Sequence, residues 1–456
     1  MEPLHYKFGG GATDTVLHPL VLSSVVILGI FLLLCPRRFA IPAFLFGTFL
    51  IPAGQEILLL GVHVFVYRIL VLVGLLGLLR IKKEPRLAGG WNVIDSAFFL
   101  SIISHVMAFI FLYWELSALI NQIGFIWDYL GGYLFLRMAI RNTEDVFKAI
   151  KCFAFLAMIY AVCMVGEQIT GENIFGLLGG VRLISEVRLG RVRSEAVFQH
   201  AILAGTFAGT VLPLFVLLWK NTKSKAMGIV AVFSATVMTI TSACSTPLLA
   251  YTSGLFGILM WPARRGLRLL RWSLVISLIC IALVMKAPVW FLIAHVGVVA
   301  GSSVSHRADL VDTFIRHVGD WWLLGTANNG TWGYDMFDTS NQYVEWGVTG
   351  GLISLVFFLA TISRSFGRLG RARKFVERRD RSSEWLLWLL GSALFANTVA
   401  FFGIGYFDQT RVAWFALLAM ISAATLPVGL SSRVSAPTPT YCERSSDERA
   451  LEHVPV

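Results

Sequence analysis

The chain has 456 residues, of which 56% are hydrophobic and only 14% charged, with a mean hydropathy of +0.72. So apolar a composition excludes a soluble globular domain and defines a polytopic membrane protein. The formal net charge of +11 is no nucleic-acid signature, because the basic residues lie in short clusters between apolar runs, with no soluble domain to carry a binding face.

Apolar runs long enough to span a bilayer occur near 15–34, 58–80, 96–114, 118–139, 146–166, 197–219, 226–243, 248–262, 272–293, 341–362, 385–404 and 411–429, with a shorter one at 39–53. The expected fold is therefore an all-α polytopic integral membrane helix bundle of 12–13 transmembrane helices over residues 1–430, the count turning on run 39–53. The first run lacks a basic n-region and a small-residue cleavage site and is followed by Cys35-Pro36-Arg37-Arg38, so it reads as an uncleaved span. Lys and Arg gather at 37–38, 80–86, 137–151, 220–225, 264–271 and 364–381, alternating with the runs as cytoplasmic loops do. Thirteen spans would put the N-terminus outside. After Leu430 the composition turns to Ser, Pro, Thr, Glu and Arg, giving a disordered cytoplasmic tail over 431–456. The six cysteines show no pairing pattern and no metal spacing.

In chain order, the first feature is Arg68, in the middle of run 58–80. A mid-membrane arginine costs roughly 2.5–3.5 kcal/mol on insertion scales and needs a partner: Asp95, Glu56 or a bound anion. The loop 167–195 falls outside by the alternation, yet carries Arg182, Arg188, Arg191 and Arg193, with no lysine between Lys151 and Lys220. This breaks the inside bias. The planar guanidinium grips phosphate or carboxylate bidentately, so the loop is either an anion-binding surface or a contact for anionic lipid headgroups. Further on, Ser245 in the turn 242–247 is a helix cap or a ligand contact.

The most polar interval before the tail is 302–351, the core of a long outer loop over 294–340, with five aspartates, two arginines and two histidines. Its Val304, Ala308, Val311, Ile315 and Val318 predict an amphipathic helix capped by Ser305 and ended by Gly319, with Arg307, Asp309, Asp312 and Arg316 off the apolar stripe. Such a helix would lie over the mouth of the bundle and present charge to a ligand, or be a solvated loop helix. Trp321, Trp322, Trp332 and Tyr334 can stack on sugar faces or simply sit at the interface. The short outer loop holding Tyr406, Asp408 and Arg411 adds an acid and a base to the same side. There is no phosphate-cradling Gly loop with Lys-Ser/Thr, no HExxH, no closely spaced DxD and no pair of broken helices of the transporter kind.

Three stretches resemble the O-antigen ligase and O-antigen (exopolysaccharide) polymerase family of bacterial membrane glycosyltransferases. Arg193-Ser194-Glu195 through Gly205 resembles the family's arginine, phenylalanine, histidine and glycine run, matching Arg193, Phe198, His200 and Gly205. The segment from His306-Arg307 to Gly325 resembles its arginine, amphipathic helix and Leu-x-Gly loop, matching Arg307. Asn341 to Gly351 resembles its Asn-x-Tyr and Gly-x-x-Gly segment, matching Asn341, Tyr343, Gly347 and Gly350. Many ligases of the family have His-Asn where this chain has Ser340-Asn341. That leaves Asp338 or His317 to activate the acceptor.

The resemblance implies a transferase in the bacterial cytoplasmic (inner) membrane. It would use a polyprenyl-diphosphate-linked glycan donor at the outer face, with a glycan, lipid or protein acceptor and no metal or cofactor. Arg193 and Arg307 would stabilise the diphosphate leaving group and Asp338 or His317 would take the proton. Arg182, Arg188, Arg191, His200, Arg316, Asn341, Tyr343 and Arg68 would bind substrate. Polymerisation of repeat units is the expected reaction. The alternatives are ligation of a finished glycan, a transporter of an anionic or lipid-linked solute, and a non-catalytic subunit among other polysaccharide assembly proteins. Membrane lipids are expected partners and nucleic acid is not.

Overall fold

The computed structural model describes residues 15–59, 62–80, 86–285, 288–291 and 303–426. The expected tail over 431–456, the stretch 294–302 of the outer loop and the side chain of the expected cap Ser305 lie outside what is described. The chain is 75% helical with almost no sheet. In order, the helices are α1 (Pro19–Leu34), α2 (Ala40–Leu50), α3 (Val66–Leu79), α4 (Val93–Tyr113), α5 (Leu116–Ile126), α6 (Gly132–Ala139), α7 (Thr143–Thr170) and α8 (Ala201–Lys220). There follow α9 (Lys225–Thr241), α10 (Ser245–Leu259), α11 (Leu267–Val284), α12 (Ser303–Arg316), α13 (Val318–Trp321), α14 (Gln342–Val376), α15 (Arg381–Ala400) and α16 (Gln409–Ala424). Every apolar run of the sequence overlaps at least one of these helices. Four of them, α4, α7, α8 and α14, are long and apolar enough to cross a membrane. Large apolar side chains such as Ile27, Val162, Phe233 and Ile240 point outward, as they would where hydrocarbon replaces water.

The helices are joined at two ends. At one, Arg37 pairs with Asp145 at 3.1 Å, Arg264 and Arg373 share Glu384 at 2.9 and 3.4 Å, and Arg368 bonds Thr425. At the other, Gln342 N–H donates to Phe401 O, Ser194 N–H to Thr241 O, Gln199 N–H to Asp408 and Gln409 Nε2 to Ile51 O. The starts of α3, α8, α10, α14 and α16 gather at this second end with the loops 171–200 and 317–341. Between the helices α4 packs along α14, and α8 packs against α9, α10 and α15.

Three expectations are corrected. Run 58–80 is not one span, because it opens as an antiparallel hairpin of β1 (Glu56–Leu59) and β2 (Val62–Phe65), pairing Glu56 with Phe65 and Leu59 with Val62. The alternating Val62 and Val64 suit a strand. Arg68 therefore lies in the first turn of α3, not mid-span. Its partner is Asp128, held bidentately at 2.8 and 3.0 Å, and Arg411 reaches the same carboxylate at 3.4 Å. Asp95 instead pairs with fully buried Arg137 at 3.1 Å, and Glu56 pairs with His63 at 3.0 Å. Asp128 is presented by a π-helical turn, Trp127–Gly131, between α5 and α6, a type of bulge frequent at functional sites.

The second correction concerns α12. Its inward face is Ala308, Leu310, Val311 and Phe314, while Ile315 and Val318 of the expected stripe are exposed. The helix is rotated so that Arg307 faces in rather than out. Phe314 stacks on Trp321 at 4.0 Å and the pair lies on Gly347, where a Cβ would stand 2.5 Å from the Phe314 ring.

The third is a break inside α14. Gly351 has φ 71° and ψ 179°, a region open essentially to glycine alone. The break frees backbone groups: Thr326 N–H donates to Val348 O at 2.7 Å and Leu352 N–H donates to Trp322 O at 2.8 Å. Side-chain-free backbone at Gly351 lets Leu323 O approach, for a Cβ there would lie 2.5 Å away. These contacts seat the outer loop on the bundle. Gly351→Ala should cost about 1–3 kcal/mol and loosen that seat. Limited trypsinolysis of the purified protein should then cut faster after Arg316, whose side chain is 70% exposed. A cleavage rate equal to wild type would disprove the account.

Candidate functional site

The second end of the bundle holds a cluster built on a short hairpin, β3 (Glu186–Arg188) and β4 (Arg191–Arg193). Its register sets Glu186 opposite Arg193, and the two form an ion pair at 3.0 Å. The segment leaving β4 is pinned by Glu167 at the end of α7, whose carboxylate accepts the N–H groups of Glu195 and Ala196 at 2.7 Å each. Ser194 Oγ donates to Met164 O and Asn173 Nδ2 to Ala196 O. Arg193 is thus buried, 5% exposed, and its position is fixed from three sides.

Arg193 and Arg307 converge on one turn. Arg193 Nη2 and Nε lie 2.7 and 3.3 Å from Cys244 Sγ, and the thiol donates to Ser242 O at 2.9 Å. Arg307 Nη1 donates to the next residue, Ser245 Oγ, at 3.1 Å. Cys244 and Ser245 open α10, so two guanidinium groups from separate loops meet beside the N-terminus of a 15-residue helix. Free N–H groups and the dipole at such an end favour an anion. Burial pushes the Cys244 thiol up despite Arg193 beside it, and pushes the Arg307 guanidinium down.

Around this pair, Asp338 lies within electrostatic reach of both Arg307 and His200, and Arg182 and Arg188 bear on the cluster from the rim. Arg182 reaches Glu186 at 3.8 Å and stays exposed, as do Arg188 and Arg191. His200 caps α8, its Nδ1 accepting from Ile202 N–H at 3.4 Å, which leaves Nε2 as the donor of the neutral ring. Burial first, and then Arg193, push its pKa down. Asp338 Oδ1 accepts from Ser340 Oγ at 2.7 Å.

Other expected site residues lie elsewhere or are engaged. His317 is stacked on Trp332 at 5.0 Å and its Nδ1 lies 2.9 Å from Thr313 O, which places the proton on Nδ1 and leaves Nε2 as the basic nitrogen. Arg316 points outward, paired to Asp312 at 2.6 Å one turn back. Asn341 caps α14 through Tyr343 and Val344 N–H, and the Tyr343 hydroxyl donates to Thr398 O. Arg68 belongs to the Asp128–Arg411 group, not to the arginine pair.

Three participants were not singled out from sequence as members of a site: Cys244, Glu186 and Glu195. Glu195 is 2% exposed with Oε1 unpartnered, and burial together with the charge of Glu167 pushes it up to about 7. In addition, His306, Asp335 and Asp338 bring ligand atoms within 4.8 Å of one another, and His306 Nε2 is enclosed with no partner. One imidazole and two carboxylates could hold a divalent cation next to Arg307. No protein-family model matches the chain, and no curated protein matches it.

The Glu195 carboxyl generates a pH dependence. Its folded pKa is raised, so the folded state holds the proton more tightly and stability falls as pH rises from the ordinary glutamate range through about 7. The contribution is at most about 3 kcal/mol. Melting temperatures of the purified protein should decline between pH 5 and 8, and Glu195→Gln should flatten part of that decline. An identical slope in the variant would count against it.

Proposed function

We propose that this chain is a membrane glycan transferase of 12–13 spans that uses a polyprenyl-diphosphate-linked oligosaccharide at the outer face of the bacterial cytoplasmic membrane to polymerise repeat units of an exopolysaccharide or O-antigen. The observation that carries this reading is the convergence of Arg193 and Arg307 on the Cys244-Ser245 start of α10. A diphosphate leaving group needs charge stabilisation that grows as the glycosidic C–O bond breaks, and preorganised guanidinium groups beside helix N–H donors supply it.

In this scheme the acceptor hydroxyl attacks the anomeric carbon and the bond to the diphosphate oxygen breaks, its electron pair leaving with the phosphate toward Arg193 and Arg307. The hydroxyl proton goes to Asp338, an exposed carboxylate within electrostatic reach of both Arg307 and His200. His200 Nε2–H serves as a donor to sugar or phosphate. Removing one stabilising donor of this kind costs about 10²–10³ in rate.

Transport is the rival, and the helix break at Gly351 is the one observation in its favour. Against it, the arginines that break the basic pattern of the sequence, Arg182, Arg188, Arg191 and Arg193, lie together at one end of the bundle, and Arg68, the residue that suggested transport, lies in the first turn of α3 and is neutralised by Asp128.

The test is extraction of lipid-linked glycans and surface polysaccharide from cells lacking the protein, complemented with wild type, Arg307→Ala, Asp338→Asn or His317→Ala. Single repeat units accumulating on the polyprenyl carrier, rescued by wild type and His317→Ala but not by the other two, are expected. Long lipid-linked chains that never reach an acceptor would assign ligation instead. Unchanged glycans with altered solute uptake or export would defeat the transferase reading.

A further inference from the structure

The hairpin that fixes Arg193 also carries a tip that the arginine cluster does not use. Its register sets Arg188 directly opposite Arg191, and both side chains are exposed. Like charges in directly opposed positions repel and weaken a ribbon. Among the described residues neither guanidinium has an ion pair. The two residues between them, Leu189 and Gly190, have φ of 51° and 72°, as the tightest hairpin turn requires. Asn-Gly is the usual occupant of such a turn, because Asn tolerates the left-handed region whereas a bulky side chain is strained there. Leucine stands in that position instead, and it is 78% exposed. A strained, outward leucine between two unneutralised arginines gains nothing from the fold around it, so what stabilises the arrangement lies outside the chain.

The position of the tip says what that is. α7, one of the helices long and apolar enough to cross a membrane, turns Phe155, Val162, Val165 and Ile169 outward. Their spacing of seven, three and four residues makes one helix face, which in a spanning helix meets lipid tails. Immediately after α7, Asn173 N–H donates to Leu183 O and Ser185 N–H to Gly171 O, with Glu172 bridged to Ile184. The strand entering the hairpin is therefore laid across the end of that helix. Ile184 and Val187 are exposed along it and carry the apolar surface from Ile169 on to Leu189. At the edge of the hydrocarbon, an apolar tip flanked by two guanidinium groups is matched on both counts, by acyl chains and by the phosphates of anionic lipids. A free phosphate or a soluble acidic peptide would leave Ile184, Val187 and Leu189 in water.

We infer that the arm 183–191 docks on the bilayer beside the end of α7, with Leu189 in the acyl boundary of the leaflet and Arg188 and Arg191 on the phosphates of anionic phospholipids. The docking stands independently of the transfer reaction, since it uses the tip of the hairpin and not the Glu186–Arg193 end that belongs to the cluster.

The experiment uses the purified full chain in nanodiscs of phosphatidylcholine, with or without added phosphatidylglycerol. Trypsin cleavage after Arg188 and Arg191 is the readout, and cleavage after the exposed Arg316 is the internal reference. Relative to that reference, wild type should be cut about tenfold more slowly in the anionic discs than in the neutral ones. Leu189→Asn places a residue suited to the turn, so its melting temperature in detergent should be at least that of wild type, while its protection in anionic discs should be lost. Equal cleavage of wild type in the two kinds of disc, or full protection of Leu189→Asn, would overturn the inference. Protection by sodium phosphate in neutral discs would assign the arginines to a free anion, and protection confined to discs holding two copies would assign the tip to a second copy; either result defeats lipid docking.

Discussion

Charge between packed helices has to be answered locally, and the way each buried charge is answered divides this molecule. At one end the answers are direct ion pairs: Arg137 is held by Asp95 and the carbonyls of Ala88 and Gly90, with only Nη1 left over, Arg37 by Asp145, and Glu384 by two arginines. Removing one partner of such a pair leaves an uncompensated charge, worth about 3–5 kcal/mol. At the other end Glu167 is answered by backbone amides, while Glu195 Oε1, His306 Nε2 and Arg411 Nε are enclosed without a hydrogen-bond partner. Chemistry belongs where the fold stops satisfying itself.

The helices were legible because apolar runs of spanning length are a strong, local signal, and each run overlaps at least one helix, although only four helices among the described residues are long and apolar enough to cross a membrane. The hairpin Glu56–Phe65 was not, since its Leu and Val residues extend the apolar run without a change of composition. The break at Gly351 was hidden for a different reason. Gly347, Gly350 and Gly351 read as a small-residue motif, but which of them carries positive φ depends on the loop that packs against it.

The arginine cluster was half legible. An all-arginine loop outside the basic pattern picked out Arg193, the resemblance added Arg307, and the departure from its His-Asn pair left Asp338 as a substitute, but the meeting point, Cys244-Ser245, looked like an ordinary turn between two apolar runs. The rotation of α12 shows why: its stripe could be drawn through Ile315 or through Phe314, and only the Trp321 ring across the turn decides between them. Likewise His306 stands 29 residues from Asp335 and 32 from Asp338, a spacing that no short motif captures.

The two guanidinium groups of the cluster belong to different mechanical units. Arg193 is fastened to the bundle through Glu186, Cys244 and the amides held by Glu167. Arg307 rides on a loop whose seat is the broken turn at Val348–Leu352 and the Phe314–Trp321 stack on Gly347. The gap between them is thus a gauge set by how one piece rests on another. A change at Gly351, remote in sequence from both arginines, would reset that gauge without touching either.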